Sequence, residues 1–176
     1  SMKVNPLIGS VCVALAWSLF LMTPASSAAL AVAVMLDPLS SGAALIGTTA
    51  QFVGFTVISW RQNNLGANIA QGVITPKVQF PNLLANPRLA IPSFIAAGVS
   101  APIATLFFHF KVSYTLAGLG LNSLIAPINL ASSNMSMFLA YIAIGVAVPA
   151  IISLVVYRVL LAFHWVKDRQ LHLEIV

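Results

Sequence analysis

Residues 47–55 read Gly47-Thr48-Thr49-Ala50-Gln51-Phe52-Val53-Gly54-Phe55, inside an uncharged run over 38–60 that ends at Trp60-Arg61. A helix crossing a hydrocarbon core takes ~20 apolar residues, so this run is long enough to span. At helical spacing Ala43, Gly47, Ala50 and Gly54 share one face, and small residues on a face let another backbone come close inside a bilayer. Gln51 flanks that face and Thr48 lies beside it. A carboxamide in hydrocarbon must find a partner, so Gln51 either ties helices together or touches a ligand. Both readings stand for the single residue. The density of Thr48, Thr49, Gln51 and, further on, Gln71 adds weight to a ligand.

Composition puts the whole chain in the same setting. Of its 176 residues 60% are hydrophobic and 6% charged, and the mean hydropathy is +0.99. Soluble domains carry about 25% charged residues, so this is an integral membrane protein with the lipid bilayer as its first partner. The net charge of +5 comes from single cations between apolar runs, with no basic cluster interleaved with aromatics, which speaks against nucleic acid. The one cysteine, Cys12, sits in an apolar run, so no disulfide framework or cysteine metal site forms within one chain; it reads as a small packing residue. No His-Glu-x-x-His or other metal motif occurs, and Gly118-Leu119-Gly120 lacks the preceding strand and third glycine of a dinucleotide fingerprint. With three acidic residues in all and no nucleophile–base pair, the sequence predicts no catalytic residues, no metal and no cofactor. His164 and His172 read as interfacial or solvated. Ser1 ahead of Met2 has the look of a tag remnant and is set aside.

Taken in order, residues 7–22 form a first span. Its rival reading is a secretory leader, with Lys3 before it and Ala25-Ser26-Ser27-Ala28-Ala29 as a small-residue cleavage site, but the apolar pattern continues down the chain. Residues 24–36 make only ~20 Å as a helix, which fits a re-entrant or half-helix. Asp37 closes that piece, either as the cap of the next helix or as a binder of a cation or substrate. The second span is 38–60. Residues 65–84 are broken by Gly72, Pro76 and Pro81 and read as an element at the interface or re-entering it, since broken backbone at membrane depth must be buried in protein or line a cavity. The third span is 91–110. Residues 114–133 are again Gly-rich and Pro-broken, a second re-entrant piece with Asn122 and Ser123 at its turn. The fourth span, 135–165, holds Pro149.

The expected fold is therefore an all-α integral membrane protein, one membrane domain over 1–176, with four transmembrane helices plus two or three re-entrant or short helices. If 24–36 and 113–133 do not cross, Lys3, Arg61, Lys77, Arg88, Lys167 and Arg169 share one side and Lys111 takes the other, as the positive-inside rule prefers. Both termini are then cytoplasmic. Two units, about 3–61 and 89–166, are joined by the broken stretch 62–88 on the cytoplasmic side, in the manner of a parallel internal repeat. Thr48, Thr49, Gln51, Gln71, Asn122 and Ser123 are the candidate ligand-binding residues, expected to converge on one polar cavity near the midplane.

The stretches 47–55, Ser59-Trp60-Arg61-Gln62-Asn63, Ala70-Gln71-Gly72, Pro81-Asn82 and Asn86-Pro87-Arg88, with Pro92, Pro102-Ile103-Ala104-Thr105 and the Gly-rich run near Gly118, together resemble one family. It is the EIIC-like membrane component family of phosphotransferase systems, which includes perfringolysin-regulator membrane proteins. The resemblance runs from about residue 6 to the last span and is to the C-terminal half of relatives about twice this length. It departs from the family around Ile74-Thr75-Pro76-Lys77 and Leu121-Asn122-Ser123, two stretches that are themselves candidate ligand positions, so the family's own solute does not carry over. The resemblance implies a bacterial plasma-membrane transporter subunit for a small polar solute of the sugar class. The alternative is a membrane sensor or regulator that transports nothing. Half-length chains further imply a homo-oligomer or a missing N-terminal half or subunit, and the small face of residues 43–54 is the expected contact.

Overall fold

A computed structural model describes residues 5–174, and all regular structure among them is helical. Helix α1, Pro6–Met22, starts where Asn5 Oδ1 accepts from the Ile8 amide and Pro6 takes the first turn, a position that needs no N–H. The eight-residue α2, Ser27–Val34, is capped by Ser26. Asp37 caps α3, Pro38–Ser59, with Pro38 again in the first turn. The broken stretch contains α4, Leu65–Ile69, a π turn over Ala70–Ile74, a 3-10 turn over Pro76–Gln79, α5, Phe80–Ala85, and a 3-10 turn over Pro87–Ala90. Then come α6, Ile91–Pro102, α7, Ile125–Ser133, α8, Met135–Ala140, and α9, Val148–Ala162. Both long runs widen into π structure beside a proline: Ile103–Phe107 follows Pro102, and Tyr141–Ala147 precedes Pro149. A proline has no N–H to give the i−4 carbonyl, so the ladder is already open there.

Three helical runs are long and apolar enough to cross a membrane: Pro38–Ser59, Pro87–Phe107 and Met135–Ala162. The first expected span, α1, has 17 residues, at the short end of what crosses. Helix α3 is the axis of the bundle and is buried over most of its length. Where it passes α1, Gly47 stands in for a side chain: a Cβ there would lie 2.5 Å from the Ala14 carbonyl oxygen. Gly54 does the same against α6 and α9, next to Ser93 and Ser153. The face of Ala43, Gly47, Ala50 and Gly54 is thus filled from within the chain, and it cannot be the expected contact between copies.

The contacts also fix helix directions. Ser18 Oγ donates to the Gly47 carbonyl, Met22 packs with Phe55 and Ile58, and Ser10 meets Thr105 beside the Phe110 end. Helices α1 and α3 therefore run parallel, not antiparallel. Residues 23–37 must return the length of the bundle, which their extended flanks allow because an extended residue covers ~3.3 Å against 1.5 Å in a helix. This differs from the expected non-crossing piece at 24–36. It puts Asn5 at the Lys111 end of the bundle and the Gln170–Leu173 tail at the Arg61 end, where both termini had been expected together. Helix α6 is antiparallel to α3, with Ser93 beside Gly54 and Ala101 and Ala104 beside Ala43. The α8–α9 run is parallel to α3, through Thr49–Tyr141, Ile46–Gly145 and Gln62–Tyr157. The two expected units thus share the direction of their last helices but not of their first.

Residues 113–133 begin and finish at one end of the bundle. The Val112 amide bonds the Pro38 carbonyl, and Phe108 lines one surface hollow with Ser136 and Met137 at the start of α8. In between, Gly120 reaches the Phe52 ring and the Thr48 backbone at a φ of 56°, a left-handed conformation that glycine adopts without a Cβ clash.

Candidate functional site

Three interruptions of helix meet near the Arg61 end. Thr23-Pro24 closes α1, Thr75-Pro76 closes the π turn, and the turn over 118–121 runs through a 3-10 turn, Asn122–Leu124, back toward α7. Gly118 is pressed against the backbone of Ser27 and Ala28, closer than any Cβ would permit. Ser27 seals the junction: its Oγ donates to the Gly118 carbonyl at 2.8 Å, and its carbonyl accepts from Trp17 Nε1 at 3.2 Å. What the three breaks leave between them is a pocket of about 200 Å³ with Ser26, Ser27, Thr75, Lys77 and Asn122 as its polar lining and Leu21, Pro24 and Leu119 as apolar wall. Lys77 Nζ donates to the Ala25 carbonyl at 2.6 Å, and partial burial pulls its ammonium below the ordinary lysine value. Asn122 Oδ1 accepts from Ser123 Oγ at 3.0 Å.

The residues singled out in the sequence fall into three places, not one. Asn122 lines the pocket, and its neighbour Ser123 is exposed at a φ of 49°. Thr48, Thr49 and Gln51 lie in the bundle core. Thr48 Oγ1 bonds back to the Ala44 and Leu45 carbonyls, and Thr49 shares its hydroxyl between the Leu45 carbonyl and Tyr141 Oη at 2.7 Å. Gln51 exchanges two bonds with Ser93, receiving from Ser93 Oγ at 2.7 Å and donating to the Ser93 carbonyl at 3.3 Å. Thr48 still touches the site at second hand, since its backbone supports Gly120.

Gln71 belongs to a third place, a ladder of amides at the Arg61 end. It donates to Ser59 Oγ and Asn68 Oδ1 and accepts from Gln79 Nε2 at 2.8 Å. Gln79 also donates to the Leu171 carbonyl, Asn63 bonds both the Leu171 carbonyl and the Leu173 amide, and Gln62 Oε1 accepts from the Leu171 amide. The tail over 170–173 is thereby strapped across the end of the bundle. Asp37 is exposed at the opposite end and occupied with capping, accepting from the Leu39 and Ser40 amides, each at 3.1 Å, and from the Ser40 hydroxyl. Burial raises its pKa, but those bonds outweigh burial and leave the carboxyl below its ordinary value.

Thr75 and Lys77 belong to the stretch 74–77 that the sequence marks as a departure from the family and a ligand position, whereas Ser26 and Ser27 had been read only as part of a small-residue run. A signal for them existed: each lies within three residues of a proline or serine that closes or caps a helix, and such breaks are where polar backbone and side chains must meet something.

No curated protein and no solved structure matches the sequence. The family described as Phosphotransferase system, EIIC matches residues 1–173. That match covers nearly the whole of a chain whose helices are long and apolar enough for several membrane crossings, and the chain therefore belongs to the phosphotransferase system EIIC family of multi-pass membrane components.

Proposed function

We propose that this chain is a transporter-type subunit that takes a small polar solute into the pocket between residues 23–27, 75–77 and 118–122. One observation carries the reading: five polar residues from three separate chain breaks converge on one hollow inside an apolar bundle. Hydroxyls, a carboxamide and a cation are the groups that hydrogen-bond a polyol, and the family points to a solute of the sugar class. The volume of about 200 Å³ is below the ~300–1,000 Å³ of sites for drug-sized ligands, so the solute is of monosaccharide size or smaller. Asn122, Thr75 and Lys77 contact it; Ser123 orients Asn122, and Thr48, Thr49 and Gln51 hold the wall behind Gly120. In a bilayer, 113–133 is a re-entrant segment.

The same proposal places the protein in a bacterial plasma membrane with its Arg61 end in the cytoplasm. Among the described residues Arg61, Lys77, Arg88, Arg158, Lys167 and Arg169 gather there against Lys111 at the other end, the asymmetry that the positive-inside rule associates with a cytoplasmic face; Lys3, expected on the Arg61 side, lies outside the described residues. The working form is a homodimer.

A thermal-shift screen of sugars and polyols on purified protein, followed by flux into proteoliposomes, tests the function. Stabilisation follows RT ln(1 + [L]/Kd), so even a weak ligand shows at high concentration. The expected result is a shift with one solute that Asn122→Ala and Lys77→Met each abolish while the unliganded melting temperature holds. A solute whose shift survives both substitutions overturns the site. Binding without flux would make the protein a sensor, not a transporter.

A further inference from the structure

A second hollow lies on the outside of the bundle at the Arg61 end, between the last turns of α3 and α9. It has a volume of about 420 Å³ and carries Arg61, Arg158 and Asp168 at its rim, with Tyr157 and Gln62 at its back. Arg61 and Arg158 are exposed. Two guanidinium groups and one carboxylate share the lining, so it has a net charge of +1. Tyr157 Oη accepts from Gln62 Nε2 at 3.1 Å, which leaves the phenol its own proton to donate. Below the rim the walls are Val57, Ile58, Leu154 and Leu161, and they open onto the uncovered apolar face of α9, where Ile151 is 63% and Val155 57% exposed. Trp60, 55% exposed, stands beside the rim, and exposed Trp at the end of an apolar helix is placed at headgroup level.

These features combine two chemistries in one cleft, an anion-binding rim and an apolar gutter leading sideways away from it. A soluble anion would use the rim alone. A lipid uses both, and basic pockets between helices on the cytoplasmic side are where phospholipid headgroups lodge. We propose that this cleft binds one anionic phospholipid, its phosphodiester held by Arg61 and Arg158 and by the Tyr157 hydroxyl, and one acyl chain lying along Leu154 and Ile151. The planar guanidinium matches a phosphate oxygen pair in a way that a lysine ammonium does not. A headgroup of charge −1 neutralises the rim, whereas a zwitterionic one leaves Asp168 and the two arginines with their net charge. Asp168 accepts from hydroxyls on the headgroup, so phosphatidylglycerol suits the rim better than phosphatidic acid, whose second negative charge would face the carboxylate.

Native mass spectrometry of the detergent-purified protein titrated with defined lipids reads this directly. Phosphatidylglycerol is expected to bind as a single adduct at least tenfold more tightly than phosphatidylcholine or phosphatidylethanolamine. The double variant Arg61→Gln/Arg158→Gln should lose that preference, Arg61→Lys/Arg158→Lys should keep part of it, and Arg88→Gln, which removes a positive charge at the same end but outside the cleft, should keep all of it. Should the double Gln variant not fold, wild-type binding in rising salt replaces it: the preference must fall as salt screens the rim. Equal binding of phosphatidylethanolamine, an unchanged preference in the double Gln variant, or equal loss in Arg88→Gln would each overturn the proposal. So would inorganic phosphate displacing the lipid at millimolar concentration, because the site would then be one for a soluble anion.

Discussion

Gln51 and Ser93 show what a polar residue does at the centre of this bundle. The pair is fully buried, the Gln51 amide accepts from the Ser93 hydroxyl and donates to the Ser93 backbone carbonyl, and the bonds join α3 to α6. Inter-helix hydrogen bonds in membrane proteins average ~0.6 kcal/mol and reach ~1.7. A double-mutant cycle of Gln51→Ala and Ser93→Ala should therefore give a coupling of about 0.6–1.7 kcal/mol in reversible unfolding from detergent. Zero coupling would mean the two groups find other partners. Gly47→Ala is the steric counterpart. Its Cβ would meet the backbone of Ala14, which has no flexible end to yield, so a loss of about 1–3 kcal/mol is expected, while Gly66→Ala, whose Cβ meets only Asn64 Oδ1 at 3.5 Å, should cost far less. At this scale the sequence was legible in kind and not in partner. A buried amide demands a hydrogen bond, which Gln51 shows, but nothing along the chain says that Ser93 answers it. Thr48 and Thr49 are read as ligand groups only until their hydroxyls are seen turned back on the preceding helical turn.

Asp37 and the connection it terminates belong to the scale of elements. As an N-cap, Asp37 contributes about 0.5–2 kcal/mol to α3, so Asp37→Ala should lower stability by that amount and Asp37→Asn, which still caps, by much less. The carboxyl titrates below its ordinary value of 3.8 in the folded protein. Its contribution is therefore complete above that value and fades as the pH falls through the lower folded-state pKa. Unfolding midpoints measured between neutral pH and pH 3 should show a fall in the wild type that Asp37→Asn lacks in part; identical slopes would remove the carboxylate from the account. The connection before Asp37 explains the topology that length alone misjudged. Residues 24–36 are too few to cross as a helix, and that much was legible. Their extended flanks more than double the reach per residue, and extension leaves no mark in apolar composition. The pocket was half legible for the same reason. Asn122 stood out at a Gly-rich turn and residues 74–77 as a departure from the family, but that the two meet depends on a π-then-3-10 break in which Gly72 comes close against Thr56, a contact invisible along the chain.

For the whole molecule, the parallel α1 and α3 make a direct demand on the membrane. In a Cys12→Ala background, single cysteines at positions 5 and 111 should label from one side and those at 62 and 167 from the other. Labelling of position 5 together with 62 would contradict the arrangement of α1. Assembly has its own measurement, since mass in detergent or lipid nanodiscs should give two copies. The contact must involve surface other than the filled face of α3, so Gly54→Leu should damage the fold of each copy before it alters the copy number. A monomer that still responds to solute would end the dimer proposal.

The strap over 170–173 gives the chain a temporal order. Leu171 is translated 109 residues after Gln62 and 92 after Gln79, so the amides of the 59–82 stretch enter the membrane well before the backbone that will satisfy them. Until then Gln79, Asn63 and Gln62 keep partners such as Gln71, the Ser59 carbonyl and the Ile58 carbonyl. The groups meant for the tail have only water, and the Arg61 end stays wet and loose while the α1–α3–α6 core is already closing. Contacts of such long sequence separation form late and slowly. The bundle is consequently a protein whose two ends mature at different times, and a nascent chain halted before residue 170 would present a finished core with an unzipped, hydrogen-bond-hungry mouth, the form a membrane quality-control protease is best placed to recognise.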